Sequence, residues 1–475
     1  MRTRVAYRAP LLVAAASAAM LAGCQPDAAK KDAAPPVVEV ANGGNGTVTP
    51  VPLAMPGFPV DSVTIDKWIN NPAGPDSAQI RAHAWAIWAG LTQLTDQKVD
   101  SAQLPVYETW PTAEQVFNPP AAAPAAGAAH PFVRSLHVPR QFGHASSDVV
   151  RRRRLLSPEV RARGNVGLPN PGVRSDSALV MVTVSYNTVA QSHVRTYGYT
   201  DTTTLDSLNT YFNAQKTPVA QRNIVPFPDS AVALKPTYLP VSADGLTIMP
   251  YWNGPLAATD TAMPDINTWT QCVAVDPSGK QVGDSIQVPC NTQKSVWAKI
   301  VGLDHFYHFR LNATEAAAFY QGAGSMPVKH GTYISRDSVL AGDYGVLVAM
   351  HVTTREITDW TWQTFWWTPA WQQNPLASDQ PATVQGVFKN YAMKTAYYMT
   401  VPTGPAKGQD EVTFNPYLEP DLAPQGKLSN CMTCHRAAAW NGTPYVFNGQ
   451  LSPSDTIFNG TTKLDFLWSI QGNAH

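Results

Sequence analysis

Cys431, Cys434 and His435, in the string CMTCH, are the residues whose types and spacing specify a chemistry most directly. Two thiols three positions apart, on a turn entering a helix, can each form a thioether with one vinyl group of a single porphyrin. The adjacent imidazole can then meet the iron from one face. The string therefore reads as covalent attachment of one haem c, with His435 as the proximal iron ligand. Half of a zinc site is the competing reading. It needs a second cysteine pair, which Cys24, Cys272 and Cys290 do not supply.

The group on the far side of the iron is left open by spacing. Small soluble cytochromes c place a methionine several tens of residues after the motif, but no methionine follows Met432, and Met432 lies between the two cysteines, where it cannot cross the ring. The candidates are His475, an upstream residue among His305, His308, His330, His351, Met326, Met350, Met393 and Met399, or no protein group. His351 is the first choice as distal ligand, because the strand-like GVLVAMHVTT would hold an imidazole rigidly. Met350 points to the opposite face of that strand, so both cannot serve. Two histidines would lower the potential relative to a histidine–methionine pair, whereas an open position would admit small ligands. No catalytic residue is identified.

At the start of the chain, Arg2, Arg4 and Arg8 precede the apolar LLVAAASAAM and then LAGC, ending at Cys24. Residues 1–23 resemble a bacterial lipoprotein signal peptide, which implies cleavage before Cys24 and three hydrocarbon chains on the new terminus, enough for stable anchoring. Gln25 fits sorting to the outer membrane. The expected location is the periplasmic side of the cell envelope. With Cys24 assigned to lipid and the CMTCH thiols to haem, Cys272 and Cys290 remain for a disulfide closing a loop of about 18 residues in that oxidising compartment.

Net charge is zero and only 14% of the 475 residues are charged, against a usual value of about 25%. That balance argues against a nucleic-acid binder. The concentrated basic feature, Arg151, Arg152, Arg153 and Arg154 with Arg161 and Arg163, is read as a solvated loop or helix end; docking of an acidic redox partner or anionic lipid is its functional alternative. The 41 prolines point to a loop-rich globular chain.

Residues 24–58, rich in Ala, Pro, Gly and Val, read as a flexible tether. Order is expected to begin near VDSVTIDKWI, followed by an amphipathic helix through Ile80, Ala84, Ile87, Trp88 and Leu91, with His83 in a surface or capping role. SALVMVTVSY, SVWAKIVGLDHFYHFRL, DYGVLVAMHVTT, DWTWQTFWW and NYAMKTAYYMT read as strands, the third and fourth forming a hairpin through residues 355–359. Helices are expected near the N-terminus, in NATEAAAFYQ and at the haem motif, continuing through RAAAW. Trp360, Trp362, Trp366 and Trp367 read as packing in the core and against the haem. The expected fold class is α+β, with a large antiparallel component, peripheral helices and a C-terminal c-type haem-binding segment. The expected regions are 59–290, α+β, and 291–475, β-rich and ending in the haem segment.

RAHAWAIWAGLT, ETWPTAEQVF, VLVAMHVTT with WTWQTFWW, NPYLEP with SNCMTCHRAAAW, and LDFLWSI together resemble a group of bacterial cytochrome c family proteins, mostly predicted lipoproteins without an assigned substrate. In that group the tryptophan segment often ends in Glu-His, where this chain has Trp366 and Trp367, so no ligand or acid–base role is carried to those positions. The resemblance implies haem binding and electron transfer. The leading expectation is thus single-electron transfer in the bacterial envelope, with the lipid holding the chain near a membrane-bound redox partner protein. The alternative is a peroxidase- or oxygenase-like haem enzyme with an open distal site, which the large non-haem portion would shape; a haem-bearing sensor or assembly module is a third class.

Overall fold

Branched and aromatic side chains suit a pleated surface covered on both faces, and YGVLVAMHVTT forms the eleven-residue strand β14 (Tyr344–Thr354) in the computed structural model of the chain. The structure describes residues 39–40, 46–99, 102–119, 125–137, 180–252, 269–280, 283–290, 295–321, 339–397, 413–419, 431–442 and 451–475. One edge of β14 pairs along its length with β8 (Val232–Val241). The other edge is shared, first by β13 (His308–Arg310) and then by β15 (Thr361–Trp367), and the register of the β8 pairing shifts between Leu347 and Ala349, where the partner on that edge changes.

The rest of this eight-stranded sheet is built outward from that core. β16 (Tyr391–Thr395) lies on β15, the short β6 (Met181–Val182) and β7 (Ser185–Tyr186) lie on β8, and β1 (Glu39–Val40) runs parallel to β13. All its other pairings are antiparallel, so the fold is α+β with a large antiparallel component. The expected hairpin through 355–359 is present. Strands from both sides of position 290 share this sheet, so residues 59–290 and 291–475 contribute to one core within the compact unit Pro36–His475.

One face of the sheet carries Met350, Phe365 and Met393 in register, and helix α2 (Ser77–Thr92) packs there. Trp88 stacks on Phe365 with ring centroids 4.2 Å apart, and Trp85 lies 5.7 Å from it. The expected apolar positions Ile80, Ala84, Ile87, Trp88 and Leu91 are all buried. Helix α1 (Ser62–Ile69) precedes α2, and both start on aspartate caps, Asp61 and Asp76, whose carboxylates accept backbone N–H groups of the first turn.

Two expectations about this region are corrected. His83 is buried rather than superficial, because α2 is covered by the hairpin loop and by Tyr397 as well as by the sheet. The tether ends earlier than residue 58: residues 46–58 are docked. β2 (Thr47–Val48) pairs with β5 (His130–Pro131), Val48 enters the core, and Val51 accepts from the Trp110 indole and donates to Thr109. The approach to α2 is close enough that a Cβ on Gly90 would lie 2.8 Å from the Ala54 carbonyl oxygen.

β3 (Leu94–Val99) and β4 (Ala102–Pro105) form a separate hairpin. A second sheet runs β11 (Ser285–Pro289), β12 (Ser295–Gly302), β10 (Cys272–Asp276) and β9 (Thr247–Pro250). Cys272 and Cys290, 18 positions apart in sequence, form a disulfide across it, with Cα atoms 5.9 Å apart. Replacing both with alanine is expected to lower unfolding stability by about 3 kcal/mol, read as a lower denaturant midpoint; an unchanged midpoint would show that the loop is held by its sheet alone.

On the other face of the large sheet lie α3 (Ala113–Phe117), α4 (Thr188–Thr196) and α5 (Thr202–Ala214), with the C-terminal segment. α6 (Ala313–Gln321) occupies the expected NATEAAAFYQ position. Among the described residues no helix is long and apolar enough to cross a membrane. Residues 1–23, expected to be a signal peptide, lie outside the described residues, as do Cys24 and the arginine cluster from 151 to 163.

Candidate haem site

CMTCH forms the five-residue helix α7 (Cys431–His435), anchored by Met432, which is fully buried among Ala233, Trp362 and Ala438 on the face of the sheet opposite α2. The helix stops at His435 instead of continuing through RAAAW. Ala437, Ala438 and Ala439 are buried, and β17 (Ala439–Trp440) pairs with β18 (Thr462–Lys463), so extended pairing overrides the helix preference of three alanines. Neither Cys431 nor Cys434 is in a disulfide, and both residues are partly exposed. Burial, with the Glu419 carboxylate nearby, pushes the Cys431 thiol well above its ordinary range.

The imidazole of His435 is held from three directions. Its Nδ1 lies 2.8 Å from the Phe466 carbonyl oxygen, which makes Nδ1 the protonated nitrogen and leaves the Nε2 lone pair for a metal. Trp362 of β15 packs against the ring at 4.1 Å between centroids. The next residue, Arg436, pairs with Asp359 of the hairpin loop and donates to the Leu451 carbonyl at 3.1 Å. Asp359 also accepts the Trp362 indole through its carbonyl at 3.0 Å, so the hairpin loop fixes both the wall and the base of the motif.

Phe466 reaches that position through an unusual backbone. Asp465 and Phe466 have φ of 44° and 69°, and Trp360 in the hairpin has φ of 60°. For aromatic side chains this left-handed conformation costs on the order of 1–3 kcal/mol each. Asp465 is held there by Arg355, 3.0 Å from its carboxylate, and by the Phe227 N–H at 2.9 Å. After it, Trp468 at the start of helix α8 (Trp468–Asn473) donates its indole to the Cys434 carbonyl at 3.0 Å. Residues 465–468 thus clamp the histidine and the second cysteine together, a role the sequence reading did not assign to LDFLWSI.

His351 is the one residue of β14 that is not buried, and its neighbour in register on β8, Lys235, is the one residue of that strand that is not. Directly opposed side chains share a face, so Lys235, His351, Thr364 and Lys394 form a polar row across four strands, on the face that carries α7. Glu419 covers the row. Its carboxylate lies 2.7 Å from His351 Nε2, with both side chains 19% exposed, and it also accepts the Asn415 N–H; Asn415 in turn donates to Thr364 at 2.8 Å. Serving as an iron ligand would require His351 to release Glu419 or to use Nδ1.

No protein-family model matches the chain, and no curated protein or solved structure matches it.

The other ligand candidates divide by position. Met350 and Met393 are buried on the α2 face, with the sheet between them and α7. His308 is buried on β13, with Nδ1 3.1 Å from the Phe306 carbonyl. His305 offers its carbonyl to Trp367 and Asn390. His475 is tied through its backbone to Thr200 and Thr202. Met326, His330 and Met399 lie outside the described residues. Trp366 and Trp367 are core, the latter stacked on Phe306 at 4.4 Å.

The residues present fit the chemistry of haem c. Two thiols that are not in a disulfide flank a buried anchor, and a neutral imidazole of fixed tautomer follows them. Among the described residues no group of three or more His, Cys, Asp or Glu converges as a metal cage, so no second half of a zinc site faces this pair. Burial pushes His435 down to about 3; the Phe466 carbonyl opposes the shift, and His351 and Lys235 add to it. Between pH 6.5 and 3 the unfolded chain binds this proton and the folded chain does not. Stability from this group is therefore complete above 6.5 and is lost as pH falls, by up to about 1.4 kcal/mol per pH unit. In the haem-free chain, His435→Gln is expected to flatten the stability–pH curve relative to the parent over that window. Parallel curves would show that His435 titrates normally.

Proposed function

We propose that this chain carries one haem c on Cys431, Cys434 and His435 and acts in single-electron transfer. The observation that carries the reading is the His435 arrangement: Nδ1–H on the Phe466 carbonyl, Trp362 against the ring and, within the preceding turn, two cysteines that are not in a disulfide. Haem bound there supplies a one-electron Fe(III)/Fe(II) couple. The chain's own residues do the rest. Phe466 orients the imidazole and raises its basicity as a ligand, Trp362 and Met432 exclude water from one side, and the Asp359–Arg436 and Trp468–Cys434 contacts keep the motif from moving between states. The resemblance to bacterial cytochrome c family lipoproteins supports a place on the periplasmic side of the outer membrane, anchored by lipid on Cys24, with a redox protein as partner.

The test is a potentiometric titration of the haem-loaded chain, expected to follow a single one-electron wave with a pyridine haemochrome of the c type. A chain purified from a host competent in haem c maturation without haem would end the proposal.

The Glu419–His351 pair favours a second reading, a haem enzyme with an open distal site, because the preferred distal ligand is already engaged. On that reading the ferrous protein binds carbon monoxide, and His351→Ala leaves its electronic spectrum unchanged. If His351 is instead the axial ligand, the same substitution converts a low-spin spectrum to a high-spin one.

A further inference from the structure

On the α2 face, away from the haem motif, the buried side chains His83, Glu356 and Tyr397 form a connected series. His83 Nδ1 lies 2.6 Å from the Tyr397 hydroxyl, and its Nε2 lies 3.2 Å from the Glu356 carboxylate; the His83 and Glu356 side chains are 2% and 0% exposed. The hydrogen positions follow from what each group can offer. Glu356 already accepts the Val60 N–H and the Thr354 hydroxyl, each at 2.6 Å, and it meets His83 as an acceptor too. With a neutral imidazole, His83 Nε2 is the protonated nitrogen and Nδ1 carries the lone pair, so the Tyr397 O–H can donate to Nδ1, with the Thr361 hydroxyl as its other hydrogen-bond neighbour. The Thr354 hydroxyl, having donated to Glu356, receives the Thr361 hydroxyl at 2.6 Å.

The surroundings are apolar: Ile65, Ile80 and Ile357 are buried around Tyr397, and the partly buried Trp68 ring lies 5.7 Å from the His83 ring. Burial pushes the Tyr397 phenol far above its ordinary range, so the side chain does not ionise by simple proton loss. Removing an electron alone would leave an unsolvated cation. A base at 2.6 Å, backed by a carboxylate, removes that obstacle.

We propose that Tyr397 is a redox-active tyrosine whose one-electron oxidation is coupled to transfer of its hydroxyl proton to His83 Nδ1. The electron passes to an outer-sphere one-electron oxidant, which is reduced by one unit. The O–H bond breaks, an N–H bond forms, and a neutral phenoxyl radical remains beside an imidazolium paired with Glu356. The inference goes beyond the haem reading and does not depend on it, since the oxidant can be added.

The test is oxidation of the full chain by hexachloroiridate(IV), with freeze-quenching and electron paramagnetic resonance. A phenoxyl radical is expected in the parent and lost in Tyr397→Phe. His83→Gln, which keeps a polar group but removes the base, is expected to lose it too; a purely structural network would lower the melting temperature of that variant and leave the radical in place. In parent protein grown with 15N-histidine, double resonance is expected to show a proton and nitrogen coupled to the radical, a readout that needs no variant to fold. An identical radical in folded Tyr397→Phe, or no histidine coupling in the parent, would overturn the proposal.

Discussion

A chain carrying Cys431→Ala together with Cys434→Ala is expected to hold no haem after denaturation and acid–acetone extraction, where the parent keeps all of it. In the proposed attachment the thioether bonds would be the part that survives unfolding, so the expected difference between the two proteins is complete rather than graded. The substitutions are conservative for the apo fold. Both cysteine residues are partly exposed, Met432 between them carries the packing, and the contact from Trp468 is to the Cys434 carbonyl, which alanine retains. The double variant is therefore expected to keep the far- and near-ultraviolet circular dichroism of the haem-free parent. His435→Ala separates the two halves of the proposed motif: it would leave both thioethers and remove the proximal ligand, so haem is expected to stay on the chain with an altered spectrum. Haem persisting through extraction in the double variant would contradict the attachment.

Glu108→Ala is expected to cost about 3–5 kcal/mol of stability, the range for breaking a buried ion pair from one side. Arg134 and Glu108 lie 2.9 Å apart with side chains 2% and 4% exposed, and the guanidinium sits over the rings of Phe309 and Phe132 at 3.9 and 4.6 Å. Without Glu108, the remaining acidic neighbour is Glu315, whose carboxylate is 3.7 Å away and is pushed up by its own burial, so it is a poor replacement. Tyr238 would also lose the acceptor of its hydroxyl, 3.0 Å away. Urea unfolding reads the loss directly. Replacing both members, Glu108→Leu with Arg134→Met, should recover much of it, because neither charge is then stranded. A change under about 1 kcal/mol for the single variant would show that water reaches the cluster.

What was legible in the sequence was whatever is local. β14 and β15 announce themselves through runs of Val, Thr and Trp, and the hairpin between them through a short polar connection. The face assignment also follows from alternation, which places Met350 and His351 on opposite sides. The misjudged segments depend on partners far away in the chain. Residues 46–58 have the composition of a linker, and their order comes from Gln97, Thr109 and Trp110, which satisfy backbone groups that would otherwise face water. His83 falls at a helical position that can face solvent, and only the fold brings Glu356 and Tyr397, 273 and 314 positions later, onto it.

The same reasoning applies to the candidate site. CMTCH is a contiguous string and could be read at once. The carbonyl that orients His435 belongs to Phe466, 31 positions on, and becomes available only because two successive residues adopt left-handed backbone angles that no residue type there advertises. Glu419 lay within NPYLEP, one of the segments that carry the family resemblance, but its meeting with His351 spans 68 positions. The row Lys235, His351, Thr364 and Lys394 needs three strand registers before it exists. RAAAW shows the reverse error, where strong local helix preference loses to pairing with a strand that arrives later in the chain.

The most direct test of the account is the mass of the proteolytic peptide containing residues 431–435, taken from the full chain after expression with a haem c maturation system. The account predicts a peptide heavier by one haem, with neither Cys431 nor Cys434 open to thiol alkylation. A peptide of unmodified mass, alkylated at both cysteines, would contradict it.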